Sequence, residues 1–453
     1  MKTCVRVDTR LPSSAATCCF VVTLVLFLTA WIALPSLACP PQANKGQLSS
    51  LDRSTIQLMA KDSAEAVRKN YFDPSYGGVD FNAAYAAAQQ AIARAGSVHE
   101  GYDAIADMLL KLNDSHTFFI PPEQPFTVEQ GWDMQLIGDK CFVTYVKKGS
   151  DAEAQGLKPG DEILELENVK PTRANWNDLR YRIKVLAPRS SLHVVIARPK
   201  EAPRLVVVAS VVKNRAAHFD LTSNEYWIYL HQFDSDMEKY KSRWMTTHDV
   251  MVLKLATFEH KEDTFDADFR KANKNKALIL DLRGNGGGAE ALLLRLLGNV
   301  FDHDVTVGQV VGRSKAKPIT AKAQHAFSGK LIVLVDSESG SASEVYARVI
   351  QLEKRGTVIG DQTAGAVRRS EPKIFVHGQG QEYAYGISVT VDDLKMTDGK
   401  SLEGAGLTPD EILLPTATQL ANGEDPQLAR AFELAGVNLS PKQAGAMFPR
   451  TEN

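Results

Sequence analysis

The sequence predicts an α/β domain with a largely parallel sheet in the C-terminal half. A small β module and an N-terminal helical region precede it. Three observations carry this expectation. Strongly apolar runs at Val250–Leu255, Ala277–Leu282 and Leu331–Asp336 alternate with helical stretches, the pattern of parallel strands with crossover helices. Residues 126–212 carry short strand-like runs broken by turn residues. Residues 51–112 repeat apolar side chains at helical spacing.

Composition bounds the rest. The 453 residues hold 52 Lys plus Arg against 54 Asp plus Glu, a net charge of −2. That balance gives no long-range attraction to polyanions and argues against a general nucleic-acid binder. Hydrophobic residues make up 44 % and charged residues 23 %, which fits a folded globular chain. At roughly 150 residues per domain the length suits about three domains. Five cysteines are too few for a disulfide scaffold.

Residues 1–38 read as a secretory signal. Lys2, Arg6 and Arg10 form a positive start, Cys18 to Leu34 is free of charge, and Ser36-Leu37-Ala38 offers a small-residue cleavage site. The apolar run of 17 residues is short for a span of about 20, so cleavage after Ala38 is expected, with a retained anchor as the alternative. Cys39 then starts the mature chain. Its lipidation is a lesser option, because Ser36 stands where such signals usually carry Leu. These features point to an extracytoplasmic protein, bacterial periplasmic or secreted. Cys141 is the other mature cysteine, and none follows it, so thiolate zinc sites and a cysteine nucleophile are excluded for the C-terminal part.

Residues 39–50 read as a tether and 51–125 as the helical region. In it Ile56, Met59, Ala60, Ala64 and Val67 share a face, followed by the Ala-rich stretch Phe81 to Ala95 and a helix from Tyr102 to Leu112. Asp73-Pro74 and Gly77-Gly78 are breaks. Across 126–212, strands are expected at Cys141–Val146, Glu162–Leu166, His193–Ala197 and Leu205–Val212. A small helix ends at Gly156, and Pro159-Gly160-Asp161 turns into the next strand. Residues 213–435 form the α/β domain, with a helix at Phe265–Asn273, strands at Thr357–Gly360 and Tyr383–Val391, and a tail at 436–453.

Two strand-to-helix junctions can carry chemistry. Asp281-Leu282-Arg283-Gly284-Asn285-Gly286-Gly287-Gly288 ends a buried strand with glycines that let amides face a ligand, which suits an anion or a developing oxyanion. It lacks the Gly-x-Gly-x-x-Gly and Gly-Lys-Ser/Thr patterns of nucleotide loops. Ser337-Glu338-Ser339-Gly340-Ser341-Ala342-Ser343-Glu344 opens a helix at the strand end where open α/β folds place their sites. There Ser341 gains the helix dipole. Locally, the first junction also fits a strained turn, and Ser341-x-x-Glu344 also fits a capping box.

Together and in this order, the two motifs resemble the S41 family of serine proteases, the C-terminal-processing or tail-specific proteases. The string Gly149 to Ile163 resembles the PDZ pattern. The endings Asp398-Gly399-Lys400-Ser401-Leu402-Glu403-Gly404-Ala405-Gly406-Leu407-Thr408-Pro409-Asp410-Glu411 and Gly423 to Leu428 are similar to the family's closing stretches. The resemblance implies a ClpP/crotonase-like α/β protease domain with a PDZ-like β module and an N-terminal helical domain. It implies Ser341 as nucleophile, with oxyanion amides from Gly286, Gly287 and Ala342. It implies a peptide-binding loop at Gly131 and Trp132, where Asp133 is unhelpful to a carboxylate. Polypeptide is the implied partner, and no metal or cofactor is implied. The lysine base of many members falls at Ala366. Arg368 and Arg369 cannot replace it, since guanidinium does not deprotonate in proteins. A serine hydroxyl needs a base, and His116, in Asp114-Ser115-His116-Thr117, has an ordinary pKa near 6.5 that suits it. The position resembles that of tricorn-like members, which use Ser, His and Glu, with Glu403 in the orienting role. His260 and His303 are expected at the surface. The expected function is an exported serine endopeptidase acting through an acyl-enzyme on unfolded or tail-exposed polypeptide. The alternatives are a non-catalytic peptide-binding pseudoprotease that has lost its base, and a hydrolase of small esters.

Overall fold

The computed structural model describes residues 48–214, 242–259, 266, 269–324, 326–377 and 383–448. The expected signal, most of the tether, His260 and residues 265, 267 and 268 of the expected helix at 265–273 lie outside the described residues.

The N-terminal part opens with α1 (Ser50–Asn70), α2 (Phe81–Arg94) and α3 (Val98–Leu110). Each starts on a side-chain cap, from Ser49, Asp80 and Ser97, which satisfies amides the helix leaves unpaired. The short β1 (Phe118–Ile120) follows. This region does not stand alone: its core includes Phe119 of β1 and Tyr385, Ile387 and Val389 from far along the chain.

The β module contains β2 (Phe126–Glu129), β3 (Trp132–Ile137), β4 (Lys140–Val146), α4 (Asp151–Ala154), β5 (Glu162–Leu166), α5 (Trp176–Tyr181), β6 (Ser191–Ala197), β7 (Arg204–Ala209) and β8 (Val211–Asn214). Its five-stranded antiparallel sheet runs β3-β4-β5-β6-β7, so β3 is an edge. The run 205–212, expected as one strand, is divided. Ser210 donates its N–H to Ser190, β7 stays in the sheet, and β8 pairs instead with β2. A π-helical turn at Arg182–Leu186 extends α5. There Arg182 reaches Asp178, Asp103 and Asp107 and ties the module to α3. Cys141 is a buried free thiol in the module core.

The α/β part holds β9 (Arg243–Thr247), β10 (Val250–Lys254), β11 (Ala277–Asp281), α6 (Glu290–Gly298), β12 (Val305–Gly312), β13 (Lys317–Ala321), β14 (Lys330–Val335), α7 (Ala342–Leu352), β15 (Thr357–Gly360), β16 (Arg369–His377), β17 (Tyr383–Met396) and β18 (Glu411–Ile412). It ends with α8 (Ala417–Ala421), α9 (Pro426–Leu434) and α10 (Pro441–Gly445). The main sheet is β18-β15-β14-β11-β10-β9, parallel except for β9. Both faces are covered. Met251, Leu278, Leu280 and Val333 pack toward α6 and α7, while Val252, Ile279 and Ile332 pack under α9 and α10. Coverage on both faces is why these strands read as nearly continuous apolar runs. A second, antiparallel sheet of β1, β17, β12 and β13, with β16 on β17, was not expected from the sequence beyond one strand.

Arg283 fastens the strand end at the first glycine motif. It grips buried Asp281 through two bonds of 2.8 Å and reaches Asp425 (2.9 and 2.8 Å) and Gln427 (2.9 Å) of the C-terminal helices. Burial pushes the Asp281 carboxyl up, but Arg283 and Lys254 outweigh it and bring it down to about 2. A depressed carboxylate stabilises the fold above its unfolded pKa near 3.8 and loses that contribution as pH falls through about 2. Arg283→Ala leaves this charge buried without its main partner. Urea unfolding at pH 7 is expected to show a loss of about 3–5 kcal/mol, with a smaller deficit at pH 3, where the stranded carboxyl takes up a proton.

Candidate active site

The turn between β14 and α7 and the first turn of α7 contain four serines, and the structure separates them. Ser337 donates its hydroxyl to the Leu136 carbonyl, Ser339 to Leu282 (2.8 Å) and Ser343 to Asn285 (2.8 Å). Ser341 differs: its side chain stays local, in capping-box position at the head of α7, and is not tied to a distant carbonyl as the other three are. Its backbone sits at φ 50°, ψ −118°, a conformation costing about 1–3 kcal/mol for a residue with a Cβ. It is a strained strand-to-helix turn, a geometry that can present a hydroxyl at the end of a sheet. Glu344 holds the turn in place. One carboxylate oxygen accepts from Ser341 (3.1 Å) and Ala366 (2.8 Å), the other from Gly365 (2.8 Å) and the Thr363 hydroxyl (2.5 Å). Burial pushes this carboxyl up to about 7, opposed by those four bonds.

Segment 366–368 joins the Ser341 turn to the His116 loop. The Ala366 carbonyl accepts from the Ser341 N–H (2.7 Å). The Val367 N–H donates to Glu403 (3.0 Å), and Arg368 donates to Asp114 (2.9 Å). Asp114 is buried and also accepts from the His116 and Thr117 amides and the Thr390 hydroxyl. The half-buried His116 is therefore presented from a loop anchored at both ends.

Glu403 does not touch the His116 ring; Ser115 stands between them. Glu403 accepts from the Ser115 N–H (2.9 Å) and hydroxyl (3.0 Å), and the same hydroxyl lies 2.7 Å from His116 Nδ1. A carboxylate only accepts, so the Ser115 proton points at Glu403 and its oxygen accepts from Nδ1–H. Nε2 is then the unprotonated nitrogen, the one a base requires. The role of Ser115 was missed in the sequence, where only its place between Asp114 and His116 hints at it. Among the described residues no hydrogen bond links the His116 ring to the Ser341 hydroxyl.

The three expected oxyanion amides are not equivalent. Gly287 donates its N–H to the Asn285 side chain (2.8 Å), so it is already engaged. Gly286 and Ala342 have no such acceptor among the described residues. Gly287 serves by its lack of a side chain. At φ 106° it packs so closely that a Cβ would lie 2.6 Å from the Ser341 Cβ and 3.0 Å from the Ala342 nitrogen.

Residues 249–413 match the family model described as peptidase family S41, and residues 126–197 match the PDZ domain model. The chain thus carries a peptidase family S41 domain after a PDZ domain. Among curated S41-type relatives it is 23 % identical over 369 residues to a carboxyl-terminal-processing protease of Synechocystis, covering 76 % of this chain and 79 % of that one. It is 33 % identical over 324 residues to a tail-specific protease of Haemophilus influenzae, covering 66 % of this chain and 43 % of that protein. Mature CPAF complexed with lactacystin shares the fold at a TM-score of 0.60 and 15 % identity, over 82 % of this chain and 96 % of that one.

In this S41 serine-type peptidase a cleft of about 640 Å³ is lined by His116, Gly286, Gly340 and Ala366, and it continues to Met134 and Gln135 of β3. The PDZ domain docks directly on the peptidase part. Gln135 donates to Asp336 (2.6 Å), Gly138 to Asp361 (2.8 Å), and Arg173 and Arg180 pair with Asp361 (2.7 Å) and Glu338 (2.8 Å). The expected peptide-binding side chain of Trp132 belongs instead to the PDZ core, 4 % exposed. Gly131 turns the chain at φ 71°. Asp133 lines the cleft. His303 is exposed against Asp302. Ala366, expected at the lysine position of many family members, lies beside Ser341 with only a methyl group.

Burial in the cleft holds the His116 ring below the usual 6.5, opposed by Glu403 and Asp114 and aided by Arg368. The ring is therefore neutral at neutral pH. An NMR titration of His116 is expected to give a midpoint below 6.5. Glu403→Gln, which removes an opposing negative charge, should move the midpoint further down; an upward shift would contradict this electrostatic picture.

Proposed function

We propose that this chain is a serine endopeptidase that processes C-terminal regions of unfolded polypeptides by a Ser341–His116–Glu403 mechanism. The observation that carries the reading is the strained backbone of Ser341 at the start of α7, next to Gly340 and Gly286, which line the same cleft as His116. Ser341 attacks the scissile carbonyl as Nε2 of His116 takes its proton, and the oxyanion sits on the Gly286 and Ala342 amides. The imidazolium then protonates the leaving amine. Water, deprotonated by the same nitrogen, hydrolyses the acyl-enzyme. Glu403 acts through Ser115, stabilising the charged ring and fixing its tautomer. The Ser341–His116 hydrogen bond forms when substrate closes the cleft, since such bonds are often long in free enzymes. The names of the curated relatives support C-terminal processing, and the positive, apolar N-terminus supports export.

A second reading, a peptide-binding scaffold without catalysis, draws on Ala366. A fluorophosphonate probe separates the two. Labelling is expected on the wild type, absent in Ser341→Ala, and reduced about 10²–10⁴-fold in rate in His116→Ala. Undiminished labelling in His116→Ala removes histidine from the mechanism. An unlabelled wild type that still binds peptide establishes the scaffold.

A further inference from the structure

We propose that the end of α1 is a working part of the candidate active site: Arg313 fixes it to the peptidase part, and it holds in turn the loop that carries His116. Arg313 is thus a remote positioning residue. The inference rests on the proposed peptidase function and adds the N-terminal helices to the machinery of that site.

The series of contacts starts at a helix end, where the last carbonyls lack partners within the helix. At the end of α1 one side chain takes two carbonyls. Arg313 donates from Nε to the Tyr71 carbonyl (2.6 Å) and from Nη2 to the Arg68 carbonyl (2.9 Å). Arg313 directly follows β12. The cap therefore comes from the peptidase part, 242 residues further along the chain than Tyr71.

The end fixed in this way reaches the His116 loop by three routes. First, Phe72 donates its N–H to the Thr390 carbonyl of β17 (3.0 Å). Thr390 directs its other two polar groups at the loop: its hydroxyl donates to Asp114 (2.7 Å) and its N–H to the Thr117 hydroxyl (3.0 Å). Second, the Arg368 guanidinium lies 4.8 Å from the centre of the Phe72 ring, within cation–π range, and donates to Asp114 (2.9 Å). Third, burial and the Asp114 carboxylate push the Tyr71 phenol well above its ordinary pKa, which sets that phenol against the same acid. The routes converge on Asp114, which accepts the His116 N–H (2.8 Å).

The His116 ring is held below its ordinary pKa chiefly by burial. A loop released from α1 admits water to the ring, so its titration midpoint rises. The position of the ring is also no longer fixed, and a misplacement of about 1 Å can cost about 10²-fold in rate. Arg313 is exposed and does not line the cleft, so replacing it leaves the cleft walls in place.

The test measures two quantities on the full chain: the rate of fluorophosphonate labelling at Ser341 and the NMR titration midpoint of His116. Arg313→Gln is expected to slow labelling about tenfold and to raise the midpoint toward about 6.5. Arg313→Lys, which keeps a charged donor for these carbonyls, should recover part of both. Phe72→Leu changes no charge, so the same two shifts there come from a loosened loop and not from a lost cation. An unchanged rate and midpoint in Arg313→Gln, whatever its thermal stability, reduces Arg313 to a helix cap and overturns the proposal. If Arg313→Gln does not fold, Phe72→Leu decides on the same two readouts. An unlabelled wild type overturns the peptidase reading, and the midpoints still decide whether α1 holds His116.

Discussion

Three consecutive residues, Ala366 to Arg368, hold the candidate site together. Their backbone and side-chain bonds reach the Ser341 turn, the Glu403 carboxylate and the Asp114 loop in turn. Consecutive Cα atoms are only 3.8 Å apart, so parts of the chain far separated in sequence are drawn into one cluster. The Asp114–Arg368 pair is buried on the acid side. Such a pair adds little net stability, because desolvation opposes attraction, but losing one partner is costly. Its value here is positional: it fixes where the histidine loop sits relative to Ser341.

The same logic extends outward. The peptidase sheet is covered on both faces and gives a rigid base, and the two glycine- and serine-rich turns emerge from its C-terminal edge, as expected for a parallel sheet. The PDZ domain rests on those turns through Asp336, Ser337 and Glu338. Domain docking and active-site geometry are thus one set of contacts.

Much of this was legible in the residues, for physical reasons. Strands buried on both faces must be continuously apolar, so β10, β11 and β14 stood out. Glycines and serines clustered after such strands marked Gly286 and Ser341. Distant pairing was not legible. The antiparallel sheet joins β1 to β17, and the bond between Thr117 and Thr390 spans 273 residues, which no local periodicity reveals. Ser115 acquires its role only beside Glu403. Trp132 follows a turn glycine and looked like a binding residue, but an indole beside an edge strand also fills a core. Ser210 divided a run of valines because its N–H was needed elsewhere. Gly287, one of three adjacent glycines, could not be told apart until Asn285 was seen to hold its amide.

The backbone at Ser341 carries an evolutionary corollary. Glycine accepts a positive φ without penalty, whereas serine is kept there by the Glu344 clamp. In a lineage released from the need for catalysis, drift at this position relaxes the main chain and rewards the loss. A silent descendant of this fold is therefore expected to outlast its active ancestor in heat, and to betray its history by a glycine at the helix start.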